Sequence, residues 1–260
     1  MSNVRKRLAE ASRPLVIAHR GDWALHPENS CAAIAAARSF DMVEIDIRLS
    51  SDREPVVIHD DTLLRTTGDP RQVKNRTWQE LSNIRLLGSS ETIPHLEQAL
   101  AAGGGNLLFD LDVKDETEVE AVAQFLAPKP ERQNCMLKID IKTYRDIDRL
   151  KEIETRFGTT VIAKLSLDAP SDLGLIQAMS ERGVAGAEVA FADLSILDQA
   201  ANIGLPLTSF TLRDVHCVGL NDELAIADPH RVWGALGKAG LKGIMTDRPL
   251  ELTKFLDAGG

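Results

Sequence analysis

Val43-Glu44-Ile45-Asp46-Ile47-Arg48 alternates apolar and charged side chains, and Val56-Val57-Ile58-His59-Asp60 follows after a short polar segment. Alternation with a period of two reads as a strand. Val43, Ile45, Ile47 and Leu49 share one face, and Glu44, Asp46 and Arg48 share the other. Carboxylates at i and i+2 of a strand leave on the same side, a few ångströms apart. Two like charges that close need a cation between them, or a proton on one of them. A hard divalent ion with oxygen ligands meets that need. Standing alone, Glu-x-Asp reads as a solvent-facing strand with ordinary surface acids; the rest of the chain reverses that reading.

Upstream, Pro14 opens Leu15-Val16-Ile17-Ala18-His19, a buried-strand pattern that runs into Arg20-Gly21. A glycine at that point lets the backbone turn sharply and leaves two polar side chains at the strand tip. Pro27-Glu28-Asn29-Ser30 precedes an Ala-rich helical stretch, with Asn29 or Ser30 as its N-cap. Residues 3–11 read as a short polar helix before the fold proper.

Downstream, only Ser50-Ser51-Asp52-Arg53-Glu54 separates the Glu44 run from the His59 run, too few residues for a parallel crossover. The pair is a hairpin or an irregular return. A hairpin turning at 51–52 would set Glu44 opposite His59. Residues 61–93 lack strong strand patterns and read as a small inserted lobe, with a helical turn at 77–81. Pro94 is then expected to start a helix through Leu100, ended by Gly103-Gly104-Gly105.

From there strand and helix patterns alternate, as in a parallel sheet. Strands are expected at 106–112, 135–141, 160–166, 184–190, 206–211 and 242–246. Helices are expected at 116–127, 143–157, 170–182, 193–203, 222–239 and 248–257. With the three earlier strands this makes one more than a closed (β/α)8 barrel uses. The surplus strand is half of the Glu44/His59 pair or the 184–190 segment. The expected architecture is one TIM-type barrel domain over 1–260, with a small insertion lobe after the third strand.

The net charge of −9 disfavours a nucleic-acid partner, since phosphate backbones attract basic surfaces. Cys31, Cys135 and Cys217 are odd in number and far apart, with no zinc-binding spacing, and read as unpaired thiols. The N-terminal stretch has no apolar core of signal-peptide length, and no run approaches a membrane span, so a cytoplasmic location is expected. Nothing in the sequence sets an oligomeric state.

In barrels of this kind the chemistry sits at the C-terminal ends of the strands. Those ends carry His19 and Arg20, Glu44 and Asp46, His59, Asp110, Asp112 and Lys114, Lys138 and Asp140, Lys164, Glu188, and Thr246-Asp247. Asp112 suits a third carboxylate for a metal, and Lys114 a cation for an anionic substrate. Two histidines beside a metal and cations suit acid–base work on a phosphate ester.

These residues carry a family resemblance. His19-Arg20-Gly21, Pro27-Glu28-Asn29-Ser30, Glu44-Ile45-Asp46, Val56-Val57-Ile58-His59-Asp60, Leu64-Arg65-Thr66-Thr67-Gly68, Ile93-Pro94-His95-Leu96-Glu97 and Gly243-Ile244-Met245-Thr246-Asp247-Arg248-Pro249 occur in the order and spacing of the glycerophosphodiester phosphodiesterase family, which the chain resembles over nearly its whole length. The resemblance implies one divalent ion, Mg²⁺ or Ca²⁺, on Glu44, Asp46 and a third acid. It implies His19 and His59 as the acid–base pair, with Arg20 and Lys114 on the phosphate. The implied reaction is hydrolysis of a small-molecule glycerophosphodiester to an alcohol and sn-glycerol 3-phosphate.

Three departures bear on that expectation. The family usually has Glu-x-Lys where this chain has Asp112-Val113-Lys114, and Trp-Thr-Val-Asn where it has Phe210-Thr211-Leu212-Arg213. Lys138, Lys164 and Glu188 are unusual for a pocket that takes one monoanionic diester; with Phe210 they are candidates for a substrate pocket, or they pair among themselves and with Asp140. They also motivate a rival reading, a sugar, inositol or lysophospholipid diester as substrate. A second rival is a non-catalytic phosphodiester-binding barrel. Glu28 and Asn29 read as loop and cap residues, His95 as a lobe residue, and Asp247 as the cap of the last helix.

Overall fold

The computed structural model describes residues 1–260. Nine strands form: β1 Leu15–His19, β2 Met42–Leu49, β3 Pro55–Val57, β4 Leu108–Val113, β5 Cys135–Asp140, β6 Thr160–Leu167, β7 Ala187–Phe191, β8 Leu207–Phe210 and β9 Gly243–Thr246. Eight of them pair in parallel in the order β1-β2-β4-β5-β6-β7-β8-β9 and close through β9–β1, a (β/α)8 TIM barrel. The ninth, β3, is the surplus strand. It folds back antiparallel on the end of β2, outside the ring.

The period-two pattern sorts the strand residues into two layers. Outward residues such as Val43, Ile45, Phe109, Leu111, Leu137 and Val161 join the helices in the main apolar core. Inward residues begin apolar, with Ile17, Met42, Leu108, Met136, Ile162 and Met245 in a second cluster. Two residues further along each of these strands the inward position is charged or ionisable: His19, Glu44, Asp110, Lys138, Lys164 and Asp247. All eight strands of the ring run the same way, so all of these groups meet at one end of the barrel.

The other end is closed by α1, Asn3–Glu10. Its large apolar residues are Val4 and Leu8 alone, and both are buried against the inward apolar residues. This helix is thus a plug of the barrel floor rather than a polar segment ahead of the fold. Leu8→Ala is expected to cost roughly 2–5 kcal/mol, the usual range for truncating a buried leucine, and a lower urea midpoint at unchanged slope would register it.

Other expectations shift for local reasons. The β2–β3 register pairs Ile47 with Val57, one residue away from a turn at 51–52, and the strand ends at Val57, so Glu44 does not lie opposite His59. Pro94 does not start a helix. Its carbonyl accepts the Val57 N–H at 2.9 Å, and the helix begins at Leu96 with His95 as N-cap. The helical pattern over 222–239 breaks into Asp222–Ala227, a π-turn at His230–Gly234, and Ala235–Lys238. Pro229 lacks an N–H, and the residue before it is pushed out of the α region. Between β3 and Leu96 no barrel strand forms; Ile58, Leu63, Val73, Leu81, Leu86 and Ile93 pack, with Val56, in a small separate cluster.

Candidate active site

The charged end of the barrel opens into a cavity of about 910 Å³ lined by His19, Arg20, Glu44, Asp46, His59, Asp112 and Lys114, and further across by Lys138, Lys164, Glu188 and Phe210. The structure therefore brings every sequence-predicted site residue to one cavity.

Register explains the acidic cluster. β2 and β4 pair Glu44 with Asp110 and Asp46 with Asp112, so the i, i+2 acids of one strand stand beside those of the next. Glu44, Asp46 and Asp112 each offer a carboxylate oxygen, all within 4.8 Å of one another. Glu44 is 2% exposed, and its one hydrogen-bond partner is the Arg20 N–H, at 3.1 Å to Oε2. Burial and then the neighbouring Asp46 push its carboxyl well above the usual carboxylate range. A buried carboxylate so poorly compensated, among other hard oxygen donors, fits a divalent cation of the Mg²⁺ or Ca²⁺ type. Asp112 is different. Burial opposes its charge, but Lys138, Lys114 and Lys164 more than offset that and hold it far below its ordinary value.

Asp46 is the most firmly held of the three. Its Oδ2 accepts from Asn29 Nδ2 at 2.8 Å, and its N–H donates to Asn29 Oδ1 at 3.1 Å. Arg20 Nε lies 3.2 Å from Asp46 Oδ2, and Lys114 Nζ lies 3.1 Å from Asp46 Oδ1 and 2.9 Å from Asp112 Oδ2. Asn29 is thus more than a loop residue; the helical N-cap is Ser30, and Asn29 sits at φ 58° to reach the acid. The turn that carries Arg20 depends on Gly21, at φ 90°, where a Cβ would meet Ala33 Cβ at 2.7 Å.

Each histidine is held by an acid. His19 Nδ1 is 2.7 Å from Asp247 Oδ1, and His59 Nδ1 is 2.6 Å from Asp60 Oδ1. A carboxylate only accepts, so Nδ1 carries the hydrogen in both rings and Nε2 is left for chemistry. Asp247 does not cap the last helix, Pro249–Asp257, whose N-cap residue is Arg248. Asp247 is braced in turn by Asp222, which is buried, takes the Asp247 N–H at 2.8 Å and accepts from Thr211 and Thr246 at 2.6 Å each.

On the His59 side a chain of ion pairs runs through the segment after β3. Arg65 Nε donates to Asp60 Oδ2 at 2.6 Å, and its Nη1 and Nη2 donate to Glu28 at 2.7 and 2.8 Å. Glu28 Oε1 also accepts from Arg20 Nη1 at 3.0 Å. Burial raises Asp60, but Arg65 and His59 outweigh it and leave it at about 2. A carboxyl lowered from near 3.9 in the unfolded chain contributes stability that is complete above about pH 4 and is lost as pH falls through 2. The melting-temperature gap between wild type and Asp60→Asn is therefore expected to be open at pH 6 and to close between pH 4 and pH 2.

The far wall is paired differently. Lys138 is buried and bridges Glu188 at 2.7 Å and Asp110 at 3.0 Å. It forms the cavity floor as part of a closed ionic triad. Lys164 is more exposed and pairs with Asp140 at 3.3 Å. His95 stays outside the cavity, tilted against Trp78, edge-on to Phe125 and joined to Glu54 at 3.0 Å.

A sequence model described as the glycerophosphoryl diester phosphodiesterase family matches residues 19–251. YhdW of Bacillus subtilis is 28% identical over 247 residues, covering 90% of this chain and 94% of that protein. The structure of an Oleispira antarctica phosphodiesterase, in complex with the product sn-glycerol-3-phosphate, is similar at a TM-score of 0.70 and 24% identity, covering 94% of this chain and 97% of that one. A glycerophosphoryl diester phosphodiesterase from Parabacteroides distasonis gives a TM-score of 0.76 at 24% identity, covering 99% of this chain and 93% of that one.

Proposed function

Because the chain belongs to the glycerophosphoryl diester phosphodiesterase family of phosphoric diester hydrolases, we propose that it hydrolyses a glycerophosphodiester to an alcohol and sn-glycerol 3-phosphate by two-histidine acid–base catalysis with one divalent cation. The observation that carries this reading is the pair of histidines, each oriented through Nδ1 by its own aspartate, on one cavity with the three acids.

Glu44, Asp46 and Asp112 would hold the cation, with Asn29, Arg20 and Lys114 fixing the position of Asp46. When bound, a divalent ion supplies charge stabilisation for the phosphoryl oxygens. One histidine takes the proton of the attacking hydroxyl at its Nε2. The other delivers a proton from Nε2 to the oxygen of the departing alcohol as its bond to phosphorus breaks. Asp247 and Asp60 keep both rings in the tautomer and orientation this requires. Arg20 and Lys114 supply positive charge on the phosphate side.

The test is product identity. Purified protein is incubated with glycerophosphocholine and with glycerophosphoethanolamine at neutral pH with Mg²⁺ or Ca²⁺. Equimolar free alcohol and sn-glycerol 3-phosphate is the expected outcome. Release of glycerol with the phosphorylated alcohol, or no turnover with either ion, removes the reading.

A further inference from the structure

We propose that Lys138 is a built-in counter-cation of the acidic site: its ammonium, clamped between Asp110 and Glu188, fills the place a second divalent ion would otherwise take and so limits the cavity to one ion. This rests on the reading of Glu44, Asp46 and Asp112 as the ligands of that ion and concerns a lysine to which that reading gives no part.

Lys138 is the one buried residue among the 30 lysines and arginines of the chain. A buried ammonium is costly unless carboxylates surround it, and an apolar side chain of similar size often serves stability as well or better. The reason for a lysine here therefore lies in the acids around it. Asp110 comes from β4, Lys138 from β5 and Glu188 from β7, and all three point inward. They meet at Lys138 Nζ, 3.0 Å from Asp110 Oδ2 and 2.7 Å from Glu188 Oε2. Both partners are themselves buried, Asp110 completely.

The triad is closed in its contacts but not in its charge, because one ammonium faces two carboxylates. Asp110 accepts no hydrogen bond at either oxygen, so Lys138 is its only compensation at contact distance. Asp110 also stands beside Glu44 in the β2–β4 register, one inward step below Asp112. The floor is thus continuous with the three acids above it. Burial and Asp46 push the Glu44 carboxyl up, and Lys138 is the cation that works against them. Arg20 and Lys114 are engaged elsewhere, at Asp46.

Without Lys138, neither Asp110 nor Glu188 would keep a cationic side chain within ion-pair distance, and Glu44 would keep only the Arg20 backbone N–H. Buried carboxylates in that state take up protons or a divalent ion. A tethered ammonium differs from a second ion in one respect that matters for function. It is present at any free-ion concentration, and it leaves a single exchangeable ion, with Arg20 and Lys114, as the positive charge that faces the phosphate.

The experiment counts bound ions and needs no turnover. Mn²⁺ binding is measured by equilibrium dialysis at pH 8 on wild type, Lys138→Ala, Glu188→Gln and the double variant Lys138→Ala/Glu188→Gln, with melting temperatures in EDTA and in Mn²⁺. The expected result is one Mn²⁺ per wild-type chain, two on Lys138→Ala at the same free concentration, and one again on the double variant. The melting temperature of Lys138→Ala should rise more on adding Mn²⁺ than that of wild type, because the extra ion binds only the folded chain. Glu188→Gln keeps the side-chain shape and an acceptor for Lys138 but removes a negative charge, so its single ion should bind about threefold or more weaker. One Mn²⁺ on a folded Lys138→Ala overturns the inference and leaves the cation site standing. If Lys138→Ala stays unfolded even in Mn²⁺, Glu188→Gln decides: weaker binding supports the inference, and unchanged affinity overturns it. No Mn²⁺ on wild type overturns the inference and the cation site together, while release of sn-glycerol 3-phosphate tests the reaction separately.

Discussion

His19→Ala is expected to lower kcat on glycerophosphocholine by about 10²–10⁴-fold, the usual worth of a positioned general acid or base. His59→Ala should do the same. Both rings sit at the mouth of the cavity and are partly accessible, and neither belongs to an apolar cluster, so their loss should spare the fold. Melting temperature and KM serve as controls, because the loss belongs in kcat if the rings act on protons in flight. The two positions should also separate by leaving group. Whichever histidine protonates the departing alcohol becomes nearly dispensable when that alcohol is replaced by an acidic phenol, and the other does not. The aspartates give a graded version of the test. Asp247→Asn leaves an amide that can present its N–H to His19 Nδ1, favouring the wrong tautomer, so kcat should fall without loss of the ring. A kcat unchanged in both alanine variants would remove the acid–base assignment.

The second large effect is at Asp46. Asp46→Asn removes a charge that Asn29, Arg20 and Lys114 converge on, and it takes one of three acids from the cation site. Cation affinity should fall by more than the roughly 10–100-fold expected for Asn29→Ala, which disturbs only the orientation of the acid. Titration with Mn²⁺ followed by paramagnetic relaxation of water reads this without any turnover. If Asp46→Asn binds the ion as well as wild type does, Glu44, Asp46 and Asp112 are not its site. Asp112→Glu is a useful companion, since it lengthens by one methylene the acid that Lys114 holds at 2.9 Å and so shifts its oxygens relative to Glu44 and Asp46.

The parts of this site that could be read in the sequence are those set by strand parity. Glu44 and Asp46 share a face because they are two apart, and Asp112 joins them because β2 and β4 pair in register, with Asp46 beside Asp112. The apolar-to-charged switch two residues along several strands was equally legible, whereas the surplus strand was narrowed only to half of the Glu44/His59 pair or the 184–190 segment, and the β2–β3 pairing decides for the former. The remainder is set by contacts distant in the chain. Asp247 precedes a helix opened by Pro249 and so looks like its cap, yet it bonds to His19 across the β1–β9 seam. Asp222 lies 25 residues before the Asp247 N–H that it holds. Arg65 reaches back 37 residues to Glu28, and only the folding of the segment after β3 puts the two together. The plug α1 carries its whole apolar signal in Val4 and Leu8, a one-face i, i+4 pair that a mostly polar composition hides.

The most direct test of the account strips the purified protein with EDTA, removes the chelator, and follows sn-glycerol 3-phosphate release from glycerophosphocholine as Mg²⁺ or Ca²⁺ is added back, with Asp46→Asn in parallel. The account predicts no turnover in the stripped protein, recovery that saturates with the added ion, and no recovery in Asp46→Asn at the same ion concentration. Full turnover by the stripped protein with EDTA still present would contradict it.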